Sequence, residues 1–295
     1  MRGKKTLQIR SSPHLASGAS VDKIMVNVIL ALIPTLMFAI YLFGLAALAT
    51  IIVGTLSCLL TEHLFCKATA KRSSVGDYSI VITGLLYSLT LPPGLPLWMV
   101  ALGAVIAVLL GKILFGGLGY NLFNPALVGR AFLQAAFPTA MTTWMPAMSP
   151  ERFSSLPSSS LAFPFTTPSY DVVSGATPLA AMKFDQVIAD SGNLFLGLSS
   201  GSIGETSSVL ILIGGLYLIA RGMMRWQIPA GIFAAVIILS ALMHSITPEI
   251  YPSALFMLFS GGLMLGAMFM ATDPVASPIT AKGCFVYGLL IGTFV

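Results

Sequence analysis

The sequence predicts an all-α membrane protein that crosses the bilayer many times. Of its 295 residues, 56% are hydrophobic and only 8% are charged, whereas about 25% of the residues of a soluble domain are charged. The apolar residues form runs long enough to span a bilayer, and one long polar segment divides these runs into two groups. A soluble globular fold is therefore excluded. The net charge of +5 is assigned to the ends of the spans and not to nucleic-acid binding.

Nine apolar runs are predicted to be spans, which gives a chain of about nine to ten transmembrane helices in two halves. Residues 1–23 form an N-terminal segment, 24–137 the first half, 138–206 a long loop and 207–295 the second half. The predicted spans are Ile24–Phe43, Leu45–Phe65, Tyr78–Leu91, Leu95–Leu114, Asn124–Phe137, Ser208–Ala220, Ile228–His244, Ser253–Ala271 and Cys284–Val295.

The distribution of basic residues predicts the orientation of these spans. With the N-terminus in the cytoplasm, every Lys and Arg except Arg152 and Lys183 falls on the inner side. The opposite orientation would reverse this bias and violate the positive-inside rule. The 138–206 loop is therefore predicted to be extracytoplasmic. We expect no cleaved signal, because the first apolar run is too long and lacks a small-residue cleavage site.

The sharpest chemical signal in the loop is the stretch Tyr170–Ala180. Thr177 suits a helix N-cap and Pro178 the first helical position, so a helix is predicted to start at Thr177. The free N–H groups and the positive dipole end of such a helix favour an anion beside the Thr177 hydroxyl, and Ser174 and Gly175 let the backbone fold closely round it. An ordinary capped turn would give the same local pattern.

This stretch resembles the flavinylation motif of RnfD and NqrB, which are membrane subunits of the ion-translocating Rnf and sodium-pumping quinone reductase complexes. The match falls on Asp171, Ser174, Gly175, Ala176 and Thr177. Two further blocks, Phe115–Ala126 and Ala271–Pro278, resemble the same family in the same order. The resemblance therefore extends over most of the chain.

The resemblance implies FMN joined to Thr177 by a phosphoester bond, which would make the chain a covalent flavoprotein matured by a flavin transferase. It also implies an electron transport complex in a bacterial or archaeal cytoplasmic membrane, with other membrane and peripheral subunits that include a second FMN-carrying one. A tenth helix is expected in the family, so we expect the second half to lack its last helix here. A second, non-covalent flavin, riboflavin in some members, is assigned to Asn121 and Asn124.

Asn121 and Asn124 flank a Gly-rich turn before the fifth span. Their amide groups suit the edge of a flavin ring, and a polar helix cap is the alternative role. The pair Asn124–Pro125 is echoed 149 positions later by Asp273–Pro274. Such an echo is typical of an internal repeat with a site at the repeat interface, in parallel or inverted arrangement.

Two carboxylates are candidates for coupling electron transfer to ion movement. Glu62 lies within the second apolar run, where an unpaired ionisable group costs about 2.5–3.5 kcal/mol. Asp273 could contact a coupling cation or cap a half-helix. The Cys residues show no metal-ligand spacing, so buried thiols are favoured over a metal site or a disulfide.

Two other classes of protein compete with a redox subunit. A channel or secondary transporter also has broken apolar helices with buried carboxylates, and a structural membrane scaffold needs none of these groups. Neither class requires an FMN acceptor at Thr177. No hydrolase, nucleotide-binding or iron–sulphur motif is evident, so ferredoxin and NAD(H) are expected to be met by other subunits.

Overall fold

The computed structural model describes residues 21–69, 75–117, 119–164, 166, 175–205 and 207–295. Within these ranges the chain forms helices, turns and loops, and no β-strand. Three helices, Val21–Phe43, Leu45–Ala68 and Gln227–Ile246, are long and apolar enough to cross a membrane. The prediction of an all-α membrane protein is confirmed at this level.

The first half of the chain contains five helices close to the predicted runs. They are α1 (Val21–Phe43), α2 (Leu45–Ala68), α3 (Ser79–Leu89), α4 (Leu97–Val108) and α5 (Pro125–Ala136). A π-helical turn over Leu109–Ile113 extends α4. Gly44 joins α1 to α2 with a φ of 62°, and a Cβ there would collide with the carbonyl oxygen of Arg152. The tight α1–α2 hairpin therefore depends on glycine.

The 138–206 segment contains short helices packed against the membrane framework. They are α6 (Pro138–Met141), α7 (Pro178–Ala180) with a π-helical turn over Ala181–Asp185, and α8 (Ser191–Leu196). The segment is anchored to the C-terminal end of α3, where Gly204 N donates to Leu89 O at 2.6 Å and Ile203 N donates to Leu91 O at 3.0 Å. These backbone hydrogen bonds hold the end of the loop against α3.

The second half contains α9 (Ser208–Ala220), α10 (Gln227–Ile246), α11 (Ala254–Phe259), α12 (Leu263–Leu265) and α13 (Ala281–Phe294). The predicted span over Ser253–Ala271 is not one continuous helix. Residues 260–262 interrupt it, and α12 continues into a π-helical turn over Gly266–Met270. Ser260 has extended backbone and ends α11, and Gly261 follows with a φ of 64°, a left-handed conformation that glycine adopts without strain.

The helices pack in two groups. The larger core joins α1 to α5 with α9 and residues 264–270, and a smaller core joins α10 to α13 around Ile228, Ile232 and Cys284. Gly231, Gly288 and Gly292 lie at the α10–α13 contact, where a Cβ would meet backbone atoms of the opposite helix. Small residues permit this close approach, which is a common way for helices to associate in membranes.

Large apolar side chains cover the outer surfaces of the long helices. Met37 on α1, Leu60 and Leu64 on α2 and Ile238 on α10 are all more than half exposed. Such a density of exposed apolar side chains would be costly in water and suits contact with lipid.

Candidate cofactor site

A cavity of about 920 Å³, including its open mouth, lies at the N-terminal end of α3. Its walls come from the starts of α1 and α3, the ends of α4 and α9, the turn before α5 and residues 268–275. In the predicted orientation all of these are the inner ends of spans. Apolar side chains such as Ile82 and Phe269 predominate, and a few polar side chains stand among them.

Asn121 and Asn124 both line this cavity and both contact the second half of the chain. Asn121 is 7% exposed, and its Nδ2 donates to Phe123 O at 3.2 Å and to Asp273 Oδ2 at 3.4 Å. Asn124 Nδ2 donates to Met270 O at 3.4 Å. The two asparagines therefore join the first half of the chain to the segment around Asp273.

The two echoed Pro-containing sequences share one hydrogen bond, from a backbone N–H to the side-chain oxygen two residues before it. Asn124 Oδ1 accepts from Ala126 N at 3.0 Å, and Asp273 Oδ1 accepts from Val275 N at 3.0 Å. Asn124 thereby caps α5. The predicted half-helix after Asp273 is absent, because residues 274–276 form only a turn. Burial raises the pKa of the Asp273 carboxyl, which lies outside the helical spans, while the bonds from Val275 and Asn121 oppose that rise.

A buried ion pair lies beside the cavity. Lys112 Nζ and Glu62 Oε2 are 2.9 Å apart, and the two side chains are 4% and 3% exposed. Lys112 Nζ also donates to Ser79 Oγ at 2.9 Å, and Ser79 Oγ donates to Asp77 Oδ1 at 2.6 Å. Glu62 is thus paired, so its charge is compensated within the apolar framework.

Thr177 lies in the 138–206 segment, which meets the other end of α3. As predicted, it caps a helix: its Oγ1 accepts from Ala180 N at 3.2 Å, and Pro178 occupies the first helical position. The residue is partly exposed. Gly175 N donates to Trp144 O at 2.9 Å, which fixes the backbone just before Thr177. Two other motif residues, Asp171 and Ser174, lie outside the described residues.

The helix after Thr177 also contacts the break between α11 and α12. A Cβ on Gly261 would lie 3.1 Å from Leu179 Cδ1. The segment from Gly261 to Phe269 therefore connects the neighbourhood of Thr177 to the cavity wall, over roughly 12 Å at the helical rise of 1.5 Å per residue.

The predicted site residues thus form two groups. Asn121, Asn124 and Asp273 share the cavity, and Glu62 joins them through Lys112. Thr177, with Gly175 and the exposed Ala176, forms a separate group on the loop.

Lys112 and Ser79 were not predicted as site residues. The charge pattern assigned Lys112 to the inner membrane surface, whereas the structure buries it in the π-helical turn after α4. A signal was available, since Lys112 and Glu62 each interrupt an apolar run and buried ionisable groups in membranes tend to pair. No sequence pattern marked Ser79 as a site residue, because its contact with Lys112 exists only in the folded structure.

The apolar helices and the buried ion pair define a multi-pass membrane protein with an internal, largely apolar cavity. The chain belongs to the NQR2, RnfD, RnfE family, whose model matches residues 8–295. Among its relatives is the D subunit of the proton-translocating ferredoxin:NAD(+) oxidoreductase complex of Clostridium ljungdahlii. The two sequences are 40% identical over 98% of this chain and 85% of the relative.

Two other relatives carry related names. The D subunit of the Na(+)-translocating ferredoxin:NAD(+) oxidoreductase complex of Acetobacterium woodii is 41% identical over 97% of this chain and 83% of its own length. The D subunit of the ion-translocating oxidoreductase complex of Stutzerimonas stutzeri is 39% identical over 94% of this chain and 82% of its own. Each of these relatives is named as part of an ion-translocating oxidoreductase complex.

Proposed function

We propose that this chain is the membrane flavoprotein subunit of RnfD type in an ion-translocating electron transport complex that links ferredoxin and NAD. The observation that carries the proposal is its similarity, over nearly all its length, to relatives named for that activity. One of these relatives is named for proton translocation and the other for sodium translocation, at almost equal identity. The transported cation is therefore left as H⁺ or Na⁺.

In this proposal Thr177 carries FMN through a phosphoester bond. The residue is partly exposed and lies at a helix start, where the helix dipole favours the negative charge of a phosphodiester. Gly175 lets the backbone pass close to Ser200, where a Cβ would lie 2.7 Å from Ser200 Oγ, and Ala176 is exposed. The residues present therefore suit a phosphate-linked group, and a flavin transferase can reach them.

The cavity holds a second, non-covalent flavin in the same proposal. Its largely apolar lining suits a planar aromatic ring, and Asn121, Asn124 and Thr83 offer amide and hydroxyl groups for the polar edge of that ring. A bound flavin supplies transfer of one or two electrons. The protein residues hold the ring, exclude water from it and fix its orientation.

Glu62 and Asp273 are proposed to couple electron transfer to cation movement. Both lie at the inner end of the framework, and both are connected to the cavity by hydrogen bonds or ion pairs of the described residues. We expect Glu62→Gln and Asp273→Asn to retain FMN on Thr177 and to weaken ion-dependent turnover of the assembled complex. If turnover of both variants depends on the ion as in the parent complex, the two carboxylates have only structural roles.

The proposed location is the cytoplasmic membrane of a bacterium or archaeon, with about nine to ten spans in two halves and the 138–206 loop outside. The partners are the other membrane and peripheral subunits of an Rnf-type complex, including a second FMN-carrying subunit. We expect a membrane-impermeant thiol reagent added outside to label Ser155→Cys, which is exposed in the loop, and to miss the exposed Ala281→Cys at the start of α13. The reverse labelling would overturn this orientation.

Mass spectrometry of the Tyr170–Lys183 peptide tests the flavin assignment directly. Protein produced with an active flavin transferase should show the added mass of FMN, and the denatured protein should fluoresce as a flavin in a gel. Absence of this mass, with the transferase shown to act on a known substrate, would reject the redox assignment. The transporter hypothesis would then replace it.

A further inference from the structure

The buried ion pair beside the cavity is oriented with one charged group nearer to the cavity than the other. Lys112 and Ser79 line the cavity, whereas the lining, over the part of the chain that the structure describes, includes neither Glu62 nor Asp77. Lys112 Nζ is 2.9 Å from Ser79 Oγ on one side and 2.9 Å from Glu62 Oε2 on the other. The positive end of the pair is therefore nearer to the cavity than the negative end.

The pair is also held rigidly. Ser79 begins α3 and its hydroxyl is fixed by Asp77 at 2.6 Å, while Glu62 lies on α2 and Lys112 on the turn after α4. Three separate parts of the fold thus position one ammonium group. An ion pair so deeply buried contributes little to stability compared with an apolar replacement, so stability alone does not account for its presence.

We infer that the Lys112 ammonium stabilises the negatively charged, reduced form of the ring bound in the cavity, and that Glu62 positions this ammonium and limits its effect. The inference rests on the proposed function, because it requires a redox-active ring in the cavity. Uptake of two electrons and one proton leaves the ring with one net negative charge, and no bond of the protein forms or breaks. The electrons come from a neighbouring one-electron donor of the complex, and the proton comes from water.

Electrostatics gives the two members of the pair opposite effects on the ring. In a site of low dielectric constant, a single positive charge beside the ring favours its reduced form, and a negative charge disfavours it. Removal of Lys112 should therefore weaken binding of the reduced ring relative to the oxidised ring, by about tenfold for a charge at the cavity wall. Removal of the Glu62 charge should strengthen it.

Riboflavin binding to the full-length protein in detergent tests the inference, with Thr177→Ala as background so that only non-covalent flavin absorbs. Dissociation constants are measured for oxidised riboflavin and for riboflavin reduced by dithionite. We expect Lys112→Met to lower the preference for the reduced form about tenfold, which corresponds to about 30 mV for a two-electron couple. Glu62→Gln should raise this preference, and Lys112→Arg should preserve it.

The variant Lys282→Met is the matched control, since Lys282 is an exposed lysine near the start of α13. It should leave the preference unchanged. If Lys112→Met does not fold, the test uses Glu62→Gln and the double variant Lys112→Met/Glu62→Gln. Both replace the Glu62 carboxylate, so no buried carboxylate is left without its ammonium partner. The double variant should show a lower preference than Glu62→Gln alone.

Two results would contradict the inference in distinguishable ways. Riboflavin that binds the parent protein with a preference unaffected by these variants, or moved in the same direction by Lys112→Met and Glu62→Gln, would overturn the inference alone. A parent protein that binds no riboflavin would overturn the inference together with the proposed second flavin. FMN on Thr177 would still be tested independently by the peptide mass.

Discussion

The two ends of the α3 region carry two kinds of candidate site. The site around Thr177 is built from neighbours in the sequence, since its cap bond joins residues three positions apart. The cavity is built from distant ones: Asn121 and Asp273 are 152 positions apart, and Glu62 and Lys112 are 50 apart. The first site is partly exposed, and the second lies between helices and their connections and has an open mouth.

Under the proposed function, this difference corresponds to two ways of holding a cofactor. A covalent bond requires one reachable hydroxyl and a short stretch of fixed backbone, so a local motif is sufficient. A non-covalent site must supply its affinity through shape, exclusion of water and preorganised polar groups. The cavity therefore draws on several helices and connections, and it should be the more sensitive of the two sites to changes in packing.

The strongest test of this contrast is Thr177→Ala. We expect complete loss of covalent flavin, because the acceptor oxygen is removed, together with normal membrane insertion. Asp190→Ala is a matched control, since Asp190 also caps a short helix of the same loop by accepting from the backbone N of the third following residue. In-gel flavin fluorescence should be absent from the first variant and unchanged in the second. Equal loss in both would assign the effect to loop folding.

The next largest effect is expected at the ion pair. Lys112→Met leaves Glu62 buried without its ammonium partner and should reduce the free energy of unfolding by about 3–5 kcal/mol. The double variant Lys112→Met/Glu62→Gln should recover most of this loss. Thermal unfolding in detergent measures both changes, and covalent flavin on Thr177 reports whether the loop remains intact. A single variant as stable as the parent would show that the pair is not isolated from water.

A smaller effect is expected from Asn121→Leu. Loss of its buried amide should weaken non-covalent flavin binding about tenfold, or about 1.4 kcal/mol, which is the size of one hydrogen bond. Asn193→Leu is the control, because Asn193 is exposed on α8 in the loop. Equilibrium binding of riboflavin separates the two variants, and covalent FMN should be the same in both. A parallel loss of covalent FMN in Asn121→Leu would mean that the two sites are not independent.

Features that depend on a few neighbouring residues could be predicted from the sequence. The cap at Thr177, the cap at Asn124 and the bounds of α9 follow from residue types over a few positions. The break at Gly261 was missed because the apolar run on both sides of it favours a continuous helix. The left-handed turn there is seen only in the fold.

The cavity could be predicted only in part. The echo of Asn124–Pro125 in Asp273–Pro274 suggested that the two segments meet, and the structure joins them through Asn121 and Met270. The partner of Glu62 could not be read from charge patterning, because a lysine near the end of an apolar run also suits the membrane surface. Distinguishing the two roles requires knowing that α2 and the turn after α4 are neighbours.

The close contact of α10 with α13 has a consequence for biosynthesis. Between these helices the ribosome makes the interrupted segment over residues 254–270, which is divided into pieces too short to cross a bilayer alone. At about 5–20 residues per second, a few seconds separate the emergence of α10 from that of α13. The close backbone contact of Gly231 with α13 can therefore form only after the interrupted segment has been made.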